Sequence, residues 1–437
     1  MQGLLDFPLA VLARVLKHVP TQQRLSQCAL VCQHFAAAAA LATSSISICS
    51  RRSCYNTSCK QRYHLPNSKL PALQAWIEQH AGQLASMCYC GDHQLQLPCA
   101  DLLQLTSLEL DGQMLLLQDT ASTSTGAAGM LLRSGRKKTA ADPARLRAAP
   151  AVGQHGSNPT PQLLPKLQRL ELSRCELSSV QPLLQLSRLT SLTSLNLGDG
   201  TVWQGGVAEQ PSSAQDPQEQ EQFISTALCT LLPQLKRLVE VKLDSDVTGT
   251  GLACVTKHLG RLPQLRSLHV GISDNAAHTD DLLADLPSSL TRLVVWDMRR
   301  DPSTADMWDF ELPAIPPASL PRQLPQLSTL QELELDGAVF YSSLLRETPD
   351  LQRLVVHSCK LLPGGDAAAD KAAAAALLAA IGCLKHLTYL CIKCDRSDFD
   401  YDQNLNAGDP AAYTALTVSS ALHSLTYAGK GHQWMLS

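Results

Sequence analysis

Apolar residues recur along this chain in one figure, L-x-x-L-x-L, with Val, Ile, Met or Tyr standing in for Leu. The copies open at Leu84, Leu105, Leu167, Leu192, Leu238, Leu265, Leu290, Leu330, Leu351, Leu387 and Leu422. In the two fullest, Leu167 leads to Leu170, Leu172, Cys175 and Leu177, and Leu351 leads to Leu354, Val356, Cys359 and Leu361. The fourth and sixth positions alternate with their neighbours, which is the period of a short strand with one buried face. Between strands the period changes. Leu252, Val255 and Leu259 stand at helical spacing in the segment from Thr250, which closes on Gly260, a residue suited to a helix end. Asp366 stands where it can cap an Ala-rich helix reaching Leu377, Leu378 and Ile381. A unit this short buries its apolar face only by stacking on its neighbours. The pattern therefore predicts an α/β solenoid over 84–437, a curved parallel sheet with helical returns.

Not every stretch belongs to the stack. Leu105 and Leu167 are 62 residues apart, and the excess, 118–162, is rich in Ala, Ser, Thr, Gly and Pro without periodicity. It reads as a disordered insertion, as do 203–222 and the Pro-rich 299–321. Insertions in solenoids map to loops and leave the stack intact. Cys175 and Cys359, where the repeat turns, read as structural thiols.

The head of the chain has a different period. Leu9, Leu12, Leu16 and Val19 follow helical spacing, with Val11 and Val15 widening the stripe,. Pro8 suits a first helical turn, and Pro20 ends the helix. A second helix carries Leu25, Cys28 and Ala29, and Leu30, Val31 and Phe35 continue its apolar face. Phe7-Pro8 through Leu16, followed by Leu30-Val31-Cys32 and Phe35, resembles the F-box opening and close in order and spacing. The resemblance covers about 40 residues, with Phe7 and Phe35 in place of the commoner Leu and Trp. The repeats that follow resemble leucine-rich repeats, and the whole is similar to the F-box/leucine-rich-repeat family. It implies a small all-α F-box-like domain over 1–42, a linker and capping helix over 43–83 built on Leu73, Trp76 and Ile77, and the solenoid beyond. It also implies docking on a Skp-type adaptor and, through it, a cullin. Pro8, Leu9, Leu12, Leu16, Leu25, Leu30 and Val31 are then the docking or F-box core positions. The plainer reading of 1–42 is a helical cap for the first repeat.

By that resemblance the chain is expected to be the substrate-recognition subunit of a Skp–cullin–F-box ubiquitin ligase, presenting a target for ubiquitination and proteasomal degradation. The alternative is a leucine-rich scaffold outside any ligase, for example cytoskeletal or ciliary. A third class, a metal-dependent enzyme at the Cys/His-rich junction, requires stoichiometric metal.

The target is expected on the outward strand face, the concave side of a horseshoe. Fifth positions there include Glu109, Glu171, Asn196, Lys242, His269, Val294, Glu334, Val355 and Cys391; Arg169, Arg292 and Arg353 hold third positions. Asp244, Trp296, Asp336 and His357 hold seventh positions. Trp296 stands out, because a large ring on an outward face is costly to expose and typical of a binding anchor. The substrate-binding candidates are His269, Arg292, Trp296, Asp297, Glu334 and His357. Packing of Trp296 beneath the third insertion is the structural alternative.

Composition narrows the classes. The formal charge of the 437 residues is -3, so no bulk basic field points to nucleic acid. Apolar residues make up 45 % and aromatics only 4 %, which describes a core of Leu and Ala. The opening residues show no basic stretch followed by an uninterrupted apolar run, so no secretory leader is expected ahead of the 15 cysteines, and the longest apolar run, Ala372 to Leu384, is too short for a bilayer. A reducing cytoplasmic or nuclear setting is expected, without membrane attachment. Arg133 to Lys138 in the first insertion is weak as a nuclear signal.

Cys49, Cys54, Cys59 and His64, with Cys88, Cys90, His93 and Cys99 beyond, lack the C-x2-C pairs of zinc modules. They read as reduced loop and core thiols. Cys391-x2-Cys394 falls on a repeat strand, is expected to face outward, and has no second pair. Asp398, Asp400 and Asp402 begin a calcium-like frame, but Gln403 occupies the position of its sharp turn. No nucleophile elbow, phosphate loop or dinucleotide fingerprint occurs. No metal, cofactor or catalytic centre is expected.

Overall fold

Each repeat buries one more position than the six-residue figure contains. In the computed structural model the residue three before the opening Leu is also withdrawn from solvent wherever it is described: Leu102 before Leu105, Leu189 before Leu192, Leu262 before Leu265, Leu327 before Leu330. Its carbonyl accepts the N–H of the opening residue, as in Leu105 to Leu102 at 3.2 Å and Leu192 to Leu189 at 3.0 Å. The same bond closes a tight turn at the openings from Leu84 through Leu387,. Thr348 and Leu351 repeat it without a leucine, at 3.2 Å, which is why the leucine figure alone does not reveal this position.

The structure describes residues 7–20, 23–24, 27, 31–49, 63–64, 67–91, 96–97, 101–111, 116–117, 164–173, 181–198, 226–243, 249–272, 285–297, 327–336, 339–340, 343–357, 360–361, 376–377, 379–393, 421–429 and 432–436. The three insertions, Leu25, Leu30, Cys54, Cys59, Cys99, Cys175, Cys359, Asp366, Cys394 and the acidic frame at Asp398 lie outside them. The chain divides into two units, Met1–Gln168 with Arg174–Ser178, and Arg169–Ser173 with Ser179–Ser437.

In the first unit, helices α1 (Leu9–Leu16) and α2 (Gln33–Ala42) form a small core around Leu12, Leu16, Ala38, Ala39 and Ala42, with Leu9, Val19 and Phe35 packed against it. Pro8 caps α1, its carbonyl accepting Leu12 N–H at 3.1 Å. Arg24, only 7 % exposed, ties the two helix ends together. Its Nη1 donates to Ala42 O at 2.6 Å and its Nη2 to Val19 O at 2.8 Å. A guanidinium suits these sites, since the last carbonyls of a helix are unpaired and carry partial negative charge.

Strand β1 (Ser45–Cys49) follows directly and pairs in parallel with β2 (Ser86–Cys90), which pairs with β3 (Ser107–Asp111). The parallel sheet thus begins within the stretch read as linker. The repeat frame is present there in disguise: Ala40, Thr43, Ile46 and Ile48 are buried, and Thr43 N–H bonds Ala40 O at 2.9 Å. Ala40 of α2 and Thr43 just beyond its end supply the positions that leucines fill elsewhere. Between β1 and β2, α3 (Leu70–His80) carries Leu73, Trp76 and Ile77 as expected; Ile77 is fully buried, and Trp76 lies 4.8 Å from the His80 ring.

The second unit is an open α/β solenoid-like stack. Its strands are β4 (Arg169–Ser173), β5 (Ser194–Gly198), β6 (Glu240–Leu243), β7 (Ser267–Ile272), β8 (Arg292–Asp297), β9 (Glu332–Asp336), β10 (Arg353–His357), β11 (Tyr389–Lys393) and β12 (Ser424–Gly429). Consecutive strands from β4 to β12 pair in parallel with one another, and a final β13 (His432–Leu436) turns back antiparallel on β12. The register never slips. Arg169 faces Ser194, Ser194 faces Glu240, and the same third position continues through Ser267, Arg292, Glu332, Arg353 and Tyr389 to Ser424. A one-residue slip would turn every leucine to solvent, so burial of the fourth and sixth positions enforces this phase. Unequal spacing is taken up on the returns, which include α4 (Gln181–Leu186), α5 (helical residues 226–231), α6 (Gly249–Leu259) and α7 (Ser343–Arg346). Gly260 ends α6 beside the backbone of Asp285, with no room for a Cβ. Leu377, Ala380 and Ile381 give the return before β11 its buried face. Among the described residues no helix is long and apolar enough to cross a membrane.

Candidate interaction surfaces and a thiol–imidazole cluster

Because fourth and sixth positions are committed to the core, the third, fifth and seventh positions of β5 to β10 form a continuous outward face. Across the fifth positions run Asn196, Lys242, His269, Val294, Glu334 and Val355. Across the seventh run Gly271, Trp296, Asp336 and His357. Two departures mark its far end. Val355 and Cys391, both expected outward, are only 3 % exposed. They follow one another in register beside a guanidinium, Arg353, stacked 4.1 Å over the Tyr389 ring.

Trp296 and Lys242 meet across an intervening strand. Strands in a sheet lie about 4.8 Å apart, so residues on β6 and β8 start about 10 Å from one another. Yet Lys242 Nζ sits 5.2 Å from the Trp296 ring centroid. Gly271, directly opposite Trp296 on β7, presents no side chain, and this gap lets the ring lean across. The ammonium–ring attraction is worth about 0.5–1 kcal/mol at such a site.

His269 occupies the same strand two residues before Gly271. Burial, reinforced by the Arg292 and Lys242 cations and partly opposed by Glu240, pushes its imidazole down to about 4. It is therefore neutral at pH 7. Its Nε2 and Trp296 Nε1 are both withdrawn from solvent without a hydrogen-bond partner, as are Asn196 Oδ1 and Ser267 Oγ nearby on the same face. Each such atom costs about 1–3 kcal/mol while unpaired.

Of the residues singled out from sequence, His269, Arg292 and Trp296 come together, with Lys242 completing the group. Arg292 also meets Glu332 at 3.3 Å, with both side chains nearly half exposed, a pair of little energetic weight. Glu334 and His357 lie one and two strands farther along the face. Asp297 ends β8, and its side chain lies outside the described residues. The importance of Gly271 and Lys242 was not legible beforehand, since it depends on which residues face one another across three strands.

The head presents a second surface. Leu12 and Leu16, 1 % and 4 % exposed, belong to its interior, whereas Phe7, Val11, Val15 and Val31 are 47 %, 43 %, 53 % and 64 % exposed. Pro8 is exposed and Leu9 half-buried. Helix α1 is thus apolar on two sides, with one side satisfied inside the head.

Cysteines fall into separate settings. Cys49 and Cys90 pair in register and are fully buried, with Cys88 half-buried. A different group arises where α5 meets α6: Cys229, Cys254 and His258 bring their ligand-type atoms within 4.8 Å of one another. Burial and the adjoining Cys254 push the Cys229 thiol up to about 12, while burial and the cations of Arg261 and Lys257 lower His258. Cys254 and His258 stand four apart on the predicted helix, and that spacing was the available signal. The third member comes from the preceding return and could not be read from spacing.

No protein-family model and no curated protein matches this chain.

Proposed function

We propose that this chain is the substrate-recognition subunit of a Skp–cullin–F-box ubiquitin ligase. Its head docks on a Skp-type adaptor, and its repeat face holds a target protein for ubiquitination. The observation that carries the reading is the division of the head's apolar motif into two sets. Leu12 and Leu16 hold α1 against α2, while Phe7, Val11 and Val15 form an uncovered apolar line with Val31 also exposed. A helix apolar on two sides asks for a partner on the second. The motif order from Phe7 to Phe35 assigns that partner to the adaptor class, through the resemblance to the F-box.

The chemistry required of such a subunit is positional. Holding a target near a charged ubiquitin carrier raises effective concentration, and no reacting group is needed from this chain. On the outward face, Trp296 supplies an aromatic anchor, and Lys242 and Arg292 supply cations around it.

The test is recovery of a Skp-type adaptor by the full chain, compared with a Val11→Asp, Val15→Asp variant. Burying a valine contributes about 1.5 kcal/mol or more, so losing two should weaken binding about a hundredfold or more. Both side chains are exposed, so the variant keeps its helices; circular dichroism checks this. Equal recovery from wild type and variant would sink the F-box assignment. It would leave a repeat scaffold outside any ligase.

A further inference from the structure

We propose that Cys229, Cys254 and His258 form a binding site for a thiophilic divalent cation, zinc, which clips together α5 and α6, the helical returns on either side of β6. Three observations converge. The three ligand-type atoms lie within 4.8 Å of one another. Cys229 and Cys254 are both free thiols. His258 Nδ1 is withdrawn from solvent and has no hydrogen-bond partner.

The geometry suits the ion. Zinc bonds of about 2.3 Å to sulfur and 2.0–2.1 Å to nitrogen, at tetrahedral angles, place ligand atoms roughly 3.5–3.8 Å apart. The existing cluster needs to close by only about 1 Å, within reach of side-chain rotation. Cys254 and His258 are four residues apart on α6, neighbours on one helical face, and Cys229 approaches from α5. Two thiolates and one imidazole form a soft donor set that favours zinc over calcium or magnesium. On binding, each thiol gives up its proton to solvent and forms a sulfur–metal bond; nothing is oxidised or reduced. Among the described residues no fourth His, Cys, Asp or Glu joins the three. Cys254 is exposed, so a water molecule can complete the tetrahedron from the solvent side.

Such a clip would matter for the stack. It would join the returns of consecutive repeats beside the strand that carries Lys242, whose ammonium lies over Trp296. Metal bound only by the folded form stabilises it by mass action.

The experiment uses the full chain, reduced and freed of metal, titrated with cobalt(II) and then with zinc. Expected are the red d–d bands and near-ultraviolet charge-transfer band of tetrahedral cobalt–thiolate, bleached by zinc, with zinc raising the melting temperature. Cys254→Ser and His258→Gln should weaken cobalt binding by at least about tenfold, since even supporting residues around a metal cost that much. They should also abolish the zinc-induced rise. Cys383→Ser, an exposed thiol elsewhere, should change neither. Cys254 is itself exposed, so its replacement by Ser leaves the fold in place. The proposal is overturned if wild type shows no cobalt–thiolate spectrum, or if both ligand variants keep it unchanged. It is equally overturned if peptide mapping finds Cys229 and Cys254 joined as a disulfide that metal and mild reductant leave intact.

Discussion

Acid should destabilise the second unit through His269, and substituting that residue should remove a defined part of the effect. The imidazole is held at about 4 in the folded chain, against about 6.5 when unfolded. A histidine kept neutral by folding contributes stability that is fully present above the unfolded value. As pH falls below about 6.5 the unfolded chain takes up a proton that the native chain refuses, and stability drops. The loss stops growing near pH 4, where the native imidazole also protonates. The full shift corresponds to about 3 kcal/mol at about 1.36 kcal/mol per unit. Because the ring is only partly buried, solvent screening reduces the expected loss to about 1–2 kcal/mol. The surroundings set the sign: burial first, then Arg292 and Lys242, which disfavour a third cation, with Glu240 the lesser opposing influence. The assay is denaturant unfolding of wild type and His269→Gln at about pH 7 and about pH 4.5. Carboxylates protonate alike in both chains, so the difference of differences isolates His269. It should be about 1–2 kcal/mol, with wild type the more acid-sensitive. Equal pH dependence in the two chains would refute the reasoning, and a more acid-sensitive variant would reverse its sign.

Other outcomes follow from the same packing. Trp296→Ala should weaken target binding by about 2 kcal/mol or more while leaving adaptor recovery unchanged; lost stability with unchanged affinity per folded molecule would make Trp296 structural instead. Gly260→Ala forces a methyl group against the Asp285 carbonyl and should cost about 1–3 kcal/mol, read by thermal unfolding. Arg24→Ala leaves the Ala42 and Val19 carbonyls without their donor and should destabilise the head by about 2–3 kcal/mol, read by amide exchange in α1 and α2. Leu268→Ala, at a fully buried fourth position, should cost about 2–5 kcal/mol, measured by denaturant unfolding.

The alternation of leucines with polar residues was enough, by itself, to determine the strands, their parallel stacking and their inward face. Any other register exposes the leucines, so local pattern and global packing leave one solution. Helix α6 and its closing glycine were legible for a similar reason: helical spacing and the breaker lie within eleven consecutive residues. The start of the sheet was not legible, because Ala40 and Thr43 do the work of leucines and only their burial reveals it. The division of α1 into a buried and an exposed apolar side also needed the structure, since spacing shows that a residue is on a helix but not which apolar side α2 covers. Across the repeats, only tertiary structure could bring Lys242 over Trp296 through the gap at Gly271. It likewise set Cys229 beside Cys254 and His258. These groupings join residues from different repeats, and their distances depend on side-chain direction and on close packing between returns, neither of which is written in the spacing of one chain.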